Sequence, residues 1–170
     1  MSDQINYWLV VDTIRLPDAI EVLKRKYVLE RVLPLFANSS FEYALDKSPM
    51  IVNLGSERAM ALSVLSLTGF DSSAVIFEVS DHIQAESLLA HLQALLLVNI
   101  NQHPTFLRFY TQVFWDKYAS ALNDADKNTL LGVAKAVDWM SASHQRRSLS
   151  RPDVERAVPP YSLTSSIFTS

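Results

Sequence analysis

The stretch from His82 to about Asn101 limits the possible folds of this chain more than any other feature of the sequence. Its apolar residues form one broad helical face and a second band across from it, which leaves only two thin polar stripes. The first face consists of Ala85, Leu88, Leu89, Leu92, Leu95 and Leu96, and the second of Ile83, Ala90, Ala94, Leu97 and Val98. A helix that is apolar on both sides is buried on both sides, so we expect a long central helix between a sheet and a further helical layer.

Patterns typical of strands alternate with patterns typical of helices four times along the chain. Aromatic and β-branched runs predict strands at residues 7–14, 50–54, 73–80 and 104–110. Apolar stripes at helical spacing predict helices at residues 16–36, kinked or split at Pro34, and at 56–67, 82–101, 113–122 and 124–140, the last capped by Asn123 or Asp124. The expected fold class is therefore α/β: a small sheet of about four strands alternating with helices, a helical C-terminal layer and an extended tail.

The composition changes after Met140. Residues 141–170 contain eight serines, three prolines and four arginines against two acidic residues, so they carry a charge of +2 and leave −5 on the rest of the chain. Such a composition is typical of linkers. We predict one α/β domain at residues 1–140 and a Ser/Pro/Arg-rich C-terminal extension at residues 141–170, which either lies against the acidic body or serves as a binding arm.

Composition argues against several classes of partner and cofactor. With 49% hydrophobic residues and a net charge of −3, the chain resembles neither a disordered protein nor a strongly basic nucleic-acid binder, and four arginines in the extension are a weak nucleic-acid footprint. There are no cysteines, and three glycines are too few for a dinucleotide fingerprint or a phosphate-binding loop. The opening segment lacks the features of a signal peptide, and no apolar run reaches membrane-spanning length. We expect a soluble cytoplasmic protein without cofactor, nucleic-acid or membrane partner.

Candidate catalytic groups are few and carry no local motif. The four histidines do not have the spacing of metal ligands, so surface or capping roles are expected and no metal site is predicted. Asp12, His103 and Arg108 are the candidates for a small hydrolase or ligand-binding enzyme whose residues converge only in three dimensions. The more economical expectation is that the chain is not an enzyme.

Residues 104–115, PTFLRFYTQVFW, place a charged group among aromatic residues. In an extended chain Arg108 shares a face with Phe106 and Tyr110, whereas Phe109 lies on the other face. Arg108 is therefore either a contact for a ligand or protein client, or a buried structural residue that needs a carboxylate to offset its desolvation. Asp12, at the end of the first strand, is the expected partner. Trp115 is expected in the core, with a pocket lining as the alternative.

Three segments together resemble a known family. Residues 33–54, LPLFANSSFEYALDKSPMIVNL, are similar to its pattern of Leu-Phe, a small polar break, a short helix and a strand led by a proline, here Pro49. Residues 91–110 resemble its leucine-rich helix, loop and Phe-Arg-aromatic strand, and residues 7–23 its opening strand and Asp-containing turn. The chain departs from the pattern at Thr111-Gln112, where the family has Asp-Pro, and in a turn at 99–104 without glycine. The family is the DUF4123 domain.

The resemblance implies a role in bacterial type VI secretion. Proteins that resemble this family act as adaptor chaperones, which hold a toxic effector in the cytoplasm and assist its loading onto the spike protein of the secretion apparatus. The implied partners are therefore an effector toxin and a spike protein, and no enzymatic activity is implied. Our candidate structural or partner-binding residues are Asp12, Pro49, Arg108, Phe109, Tyr110, Trp115, Arg146 and Arg147.

Overall fold

The computed structural model describes residues 4–168, so the first three residues and the last two residues of the C-terminal extension lie outside the described residues. Within this range nine strands form one six-stranded and one three-stranded sheet. The strands are β1 (Ile5–Val11), β2 (Arg31–Pro34), β3 (Met50–Asn53), β4 (Ala74–Ser80), β5 (Leu97–Ile100), β6 (His103–Phe106), β7 (Ala136–Met140), β8 (Arg146–Ser150) and β9 (Ser162–Leu163). The mixed α/β class is confirmed, but the strands outnumber the four expected.

The six-stranded sheet has the order β2-β3-β1-β4-β7-β8, and all its pairs are antiparallel. β1 lies inside the sheet, where Tyr7 opposes Glu78 of β4 and Val11 opposes Met50 of β3. Its continuous apolar run, YWLVV, suits this place because the strand is buried on both faces. The second sheet has the order β6-β5-β9, and Asn101 and Gln102 make the β5–β6 turn with positive φ angles of 52° and 65°.

Six α-helices within residues 4–168 cover both faces of the six-stranded sheet. They are α1 (Ala19–Lys26), α2 (Arg58–Ser63), α3 (Phe70–Ser73), α4 (Ala85–Leu95), α5 (Gln112–Tyr118) and α6 (Asp124–Leu131). Alternation along β1 divides the core: Leu9 packs in a cluster with residues of α1, α2 and α3, whereas Trp8 packs in a cluster with residues of α4, α5 and α6. The result is a three-layer arrangement with the sheet in the middle. No helix in residues 4–168 is long and apolar enough to cross a bilayer.

The expected central helix at 82–101 is wrong in length and in burial. The helix ends at Leu95, and the following residues form β5. Val98 is buried and Ile83 and Ala94 pack against the core, but Ala90 is exposed and Leu97 is 49% exposed, so the second apolar band is buried only in part. His91, expected at the surface or in a cap, is instead buried and contacts the hydroxyl of Tyr161 and the carbonyl of Leu130.

Three further helix and strand predictions are wrong at their ends. The helix predicted to reach residue 36 stops at Lys26, and Pro34 lies in β2 at the sheet edge, where its missing N–H costs no ladder bond. The last helix begins after Asn123, whose side chain caps it as predicted, but it stops at Leu131, and 136–140 form β7. The strand predicted at 104–110 ends at Phe106 and belongs to the second sheet, not to the main one.

Residues 141–168 are part of both sheets. β8 pairs with β7 in the six-stranded sheet, and β9 runs parallel to β5 in the second sheet. Tyr161 and Leu163 are buried in the core, so this segment, which we expected to be a linker, contributes to folding.

Candidate protein-interaction groove

A groove of about 410 Å³ lies between the second sheet, helix α5 and the C-terminal turn. It is lined by Arg15, Ile100, Thr105, Phe106, Leu107, Arg108, Thr111, Val113, Phe114, Lys117, Tyr118 and Phe168, and we call it the α5 groove. Leu107 and Phe114 are buried beneath it, whereas Phe106 is 41% and Val113 62% exposed. A partner that covers these exposed apolar side chains would gain free energy, because it would remove their surface from water.

Three cationic side chains also line the α5 groove. Arg15, Arg108 and Lys117 are exposed, and the lining residues described for this groove include no carboxylate. Lys117 lies over the ring of Tyr118, with its Nζ atom 5.2 Å from the ring centroid. An apolar floor with a cationic rim suits a protein segment that combines apolar and acidic residues.

Helix α5 presents these groups because of its start and its spacing. Thr111 caps the helix: its Oγ1 atom accepts a hydrogen bond from the backbone N–H of Phe114 and donates one to the carbonyl of Arg108. Val113 and Lys117 are four residues apart and therefore share a helix face. Thr111 stands where the family pattern has the aspartate of Asp-Pro. Both residue types can cap a helix, so the cap is kept in this chain.

Arg108 pairs with the carboxylate that the sequence predicts for it, that of Asp12. Its Nη2 atom donates to Oδ2 of Asp12 at 2.7 Å, so the expected pairing is confirmed. The expected burial of the guanidinium is wrong, since the Arg108 side chain is 55% exposed and that of Asp12 only 2%. The other carboxylate oxygen, Oδ1, accepts from the backbone N–H of Ile14 at 3.0 Å and of Arg15 at 3.4 Å, which closes the turn after β1.

The aromatic residues around Arg108 lie in the core beneath the groove. Phe109 and Trp115 are fully buried, and the carbonyl of Phe109 accepts a 2.6 Å hydrogen bond from the indole N–H of Trp115. Trp115 stacks on Trp139 with ring centroids 5.8 Å apart. Tyr110 is buried to 5% exposure beside Arg108, whose Cζ atom is 6.0 Å from its ring centroid, and burial raises the pKa of its hydroxyl. These residues therefore form the packed core on which the groove lies.

Comparison with known proteins places this architecture in a family. The model of the DUF4123 domain, described as a domain of unknown function, matches residues 7–129, which is more than half of the chain. The chain belongs to the DUF4123 family. Neither the curated proteins nor the solved structures contain a detectable match.

The DUF4123 match includes most of the groove. Pro49 lies within the match too: it is buried next to β3, and its carbonyl accepts a hydrogen bond from the backbone N–H of Leu35 at 2.9 Å. Arg146 and Arg147 lie outside it, on exposed strand β8, and neither lines the α5 groove. Phe168 is also outside the match, although it lines the groove and contacts Tyr118 with ring centroids 4.7 Å apart.

The three catalytic candidates of this DUF4123 chain come together only in part. Asp12 and Arg108 are in contact, but neither Asp12 nor His103 is among the described residues that line the α5 groove. His103 is the exposed first residue of β6. Within residues 4–168 no three or more acidic, histidine or cysteine side chains are grouped so as to hold a metal ion.

Several groove residues were not predicted from the sequence: Arg15, Val113, Lys117 and Phe168. Lys117 and Val113 have a detectable signal, because their four-residue spacing puts them on one face of a predicted helix. Arg15 lies in the turn that begins at Asp12, and its backbone N–H donates to the Asp12 carboxylate. The predicted pair of Asp12 and Arg108 therefore also indicates Arg15. Phe168 has no local signal, because its place depends on the path of the whole C-terminal segment.

Proposed function

We propose that this DUF4123 protein is a non-enzymatic adaptor chaperone that binds an effector toxin in the cytoplasm and assists its loading onto the spike protein of a type VI secretion system. The resemblance described above implies this role. The observation that carries it is the α5 groove, which combines exposed apolar side chains and a cationic rim with a buried apolar floor.

The composition of the groove favours a protein client. Aromatic residues and arginine are enriched at protein interfaces, where they form the central anchors of binding. A volume of about 410 Å³ is enough for a few client side chains, so the groove is an anchor point within a larger contact. The client segment that fits it carries one or two apolar side chains next to an acidic residue, which would reach the exposed parts of Arg15, Arg108 and Lys117.

Co-expression tests the proposal directly. The chain is produced together with any toxin and spike proteins that neighbouring genes encode, and complexes are separated by size-exclusion chromatography. We expect a stoichiometric complex with the toxin, and toxin delivery that fails when the adaptor gene is deleted. Co-purification with neither protein, together with normal delivery in the deletion strain, would contradict the adaptor role.

A further inference from the structure

Strand β8 is an open edge of the six-stranded sheet. It is the last strand in the sheet order, and its neighbour is β7. The backbone N–H of Ser141 donates to the carbonyl of Gln145, and that of Arg151 donates to the carbonyl of Lys135. In an antiparallel pair only alternate residues exchange hydrogen bonds, so the odd-numbered residues 145–151 bond to β7. The N–H and C=O groups of Arg146, Ser148 and Ser150 therefore point away from the sheet.

The edge is exposed and positively charged. Four of the five residues of β8 are exposed, and Leu149 is partly buried. Arg146 and Arg147 are consecutive, so their side chains lie on opposite faces of the sheet. Arg151, just beyond the strand, donates to the carbonyl of Gly132 and adds a third positive charge near the edge.

Each face of the sheet has a shallow depression beside this edge. On one face Arg147 borders a depression of about 470 Å³ that Trp115, Asp116 and Trp139 also line. On the other face Arg146 borders one of about 510 Å³ with Met140 and His144. A strand added to β8 would direct alternate side chains toward these two depressions.

We propose that β8 is a docking edge that receives an extended acidic segment of a partner protein as a seventh strand of the sheet. The free backbone groups provide the hydrogen bonds, and the two arginines select the charge. Since the arginines lie on opposite faces, the segment that fits best has two consecutive acidic residues, one directed to each face. A second copy of this chain is disfavoured, because pairing two β8 strands would bring four arginines onto adjacent strands.

The docking edge is separate from the α5 groove. β8 lies beyond residue 129, where the family match ends, so the edge is a feature of this chain rather than of the matched region. The inference rests on the proposed function only in one respect: we expect the acidic segment to belong to the effector. Binding of peptides to β8 and formation of the effector complex are measured independently, so one can fail without the other.

Fluorescence anisotropy with peptides of defined sequence tests the proposal. The parent peptide is Thr-Val-Thr-Glu-Glu-Val-Thr-Val, labelled at its N-terminus and amidated at its C-terminus. A second peptide has Lys-Lys in place of Glu-Glu, and a third keeps Glu-Glu but has its four central amide nitrogens methylated. We expect the parent to bind, the lysine peptide to bind roughly ten-fold more weakly, and the methylated peptide to lose binding because it cannot donate to the edge.

Variants of the protein locate the binding. Arg146→Glu combined with Arg147→Glu should weaken the parent peptide roughly ten-fold, whereas Lys24→Glu with Arg25→Glu on α1, an equal change of charge, should leave binding unchanged. Ser150→Pro removes an outward N–H without breaking the ladder to β7, and it should weaken binding where Ser150→Ala does not. Circular dichroism verifies that each variant is folded.

Three results would overturn the proposal. The first is no binding of the parent peptide up to about 1 mM. The second is equal binding of the acidic and lysine peptides, which would show that the arginines do not select charge. The third is undiminished binding of the methylated peptide, which would mean that charge attraction alone, without strand addition, holds the acidic segment; this test stands even if Ser150→Pro fails to fold.

Discussion

Arg108 and Asp12 form an ion pair 96 positions apart in the sequence, with 2.7 Å between Nη2 and Oδ2. The pair is asymmetric, because the carboxylate is buried while the guanidinium is about half exposed at the rim of the α5 groove. Asp12 therefore joins the turn after β1 to the segment before α5. Part of the arginine surface stays exposed, so its structural role is compatible with contact to the proposed client.

Replacing Arg108 by leucine should lower the free energy of unfolding by about 1 kcal/mol, because the buried carboxylate of Asp12 loses its charged partner. Urea denaturation of wild type, Asp12→Asn, Arg108→Leu and the double variant gives the coupling energy of the pair. Additive effects of the two substitutions would show that the pair contributes nothing to stability. An Arg108→Leu variant with native stability that still fails to bind the toxin would establish contact as its principal role.

Val113→Asp should abolish or strongly weaken toxin binding without loss of stability. Val113 is 62% exposed in the first turn of α5, where a carboxylate interacts favourably with the helix N-terminus. An acid here would offset the cationic rim and remove an apolar contact. Pull-down of the toxin measures binding, and thermal denaturation measures stability. Val28→Asp is the matched control, since Val28 is 90% exposed and does not line the groove; equal loss of binding in both variants would exclude the α5 groove as the client site.

His91 should make the protein less stable as the pH falls below about 6.5. Burial lowers its pKa from 6.5 to about 4. Its Nε2–H donates to the carbonyl of Leu130 at 3.0 Å, so in the neutral ring Nδ1 accepts from the hydroxyl of Tyr161 at 2.9 Å. Between pH 6.5 and 4 the unfolded chain binds a proton that the folded chain excludes, which removes about 3 kcal/mol of stability across that window.

Denaturation of wild type and His91→Gln between pH 4.5 and 7.5 measures this contribution. It is the difference between the two proteins in the slope of the free energy of unfolding against pH. The difference is needed because burial, together with the neighbouring charge of Glu78, raises the pKa of Asp138. That carboxyl group acts in the opposite sense, since its contribution to stability falls as the pH rises, but it is present in both proteins and cancels. Parallel pH profiles for the two proteins would contradict the prediction for His91.

Deletion of residues 142–170 should unfold or strongly destabilise the protein, instead of merely removing a binding arm. The deletion eliminates β8 and the buried side chains of Tyr161 and Leu163, each of which contributes about 1.5–3 kcal/mol by burial. Thermal denaturation of the truncated chain measures the effect. An unchanged melting temperature with lost client affinity would restore the view of this segment as an arm.

Asp126→Ala is a milder test of how the C-terminal segment is held against helix α6. The buried carboxylate of Asp126 accepts hydrogen bonds from the backbone N–H groups of Thr164, at 3.0 Å, and Ser165, at 2.6 Å. Its loss leaves these donors without their acceptor and should cost about 1–3 kcal/mol. Asp124→Ala, in the exposed first turn of the same helix, should cost less, and equal costs for the two variants would mean that the carboxylate of Asp126 does not hold the segment.

Several features of this fold were predictable because their causes are local. The runs at β1, β3 and β4 are bounded by turn residues and read as strands without knowledge of their partners. Asn123 caps the last helix by a contact with a backbone group three residues away. The pairing of Arg108 with Asp12 was predicted on the assumption that the guanidinium is buried and needs a carboxylate. The partner is correct, but the buried member of the pair is the carboxylate of Asp12.

Other features depended on contacts between distant segments. LVNI at 97–100 and AVDWM at 136–140 continue the apolar pattern of the helices before them, and periodicity alone does not separate a short buried strand from the end of a helix. They become strands because β6 and β9 pair with the first, and β4 and β8 with the second. The stretch PTFLRFYTQVFW was thus identifiable from local chemistry. The groove that some of its residues line required tertiary packing, because Phe168, more than 50 positions away in the sequence, forms part of its wall.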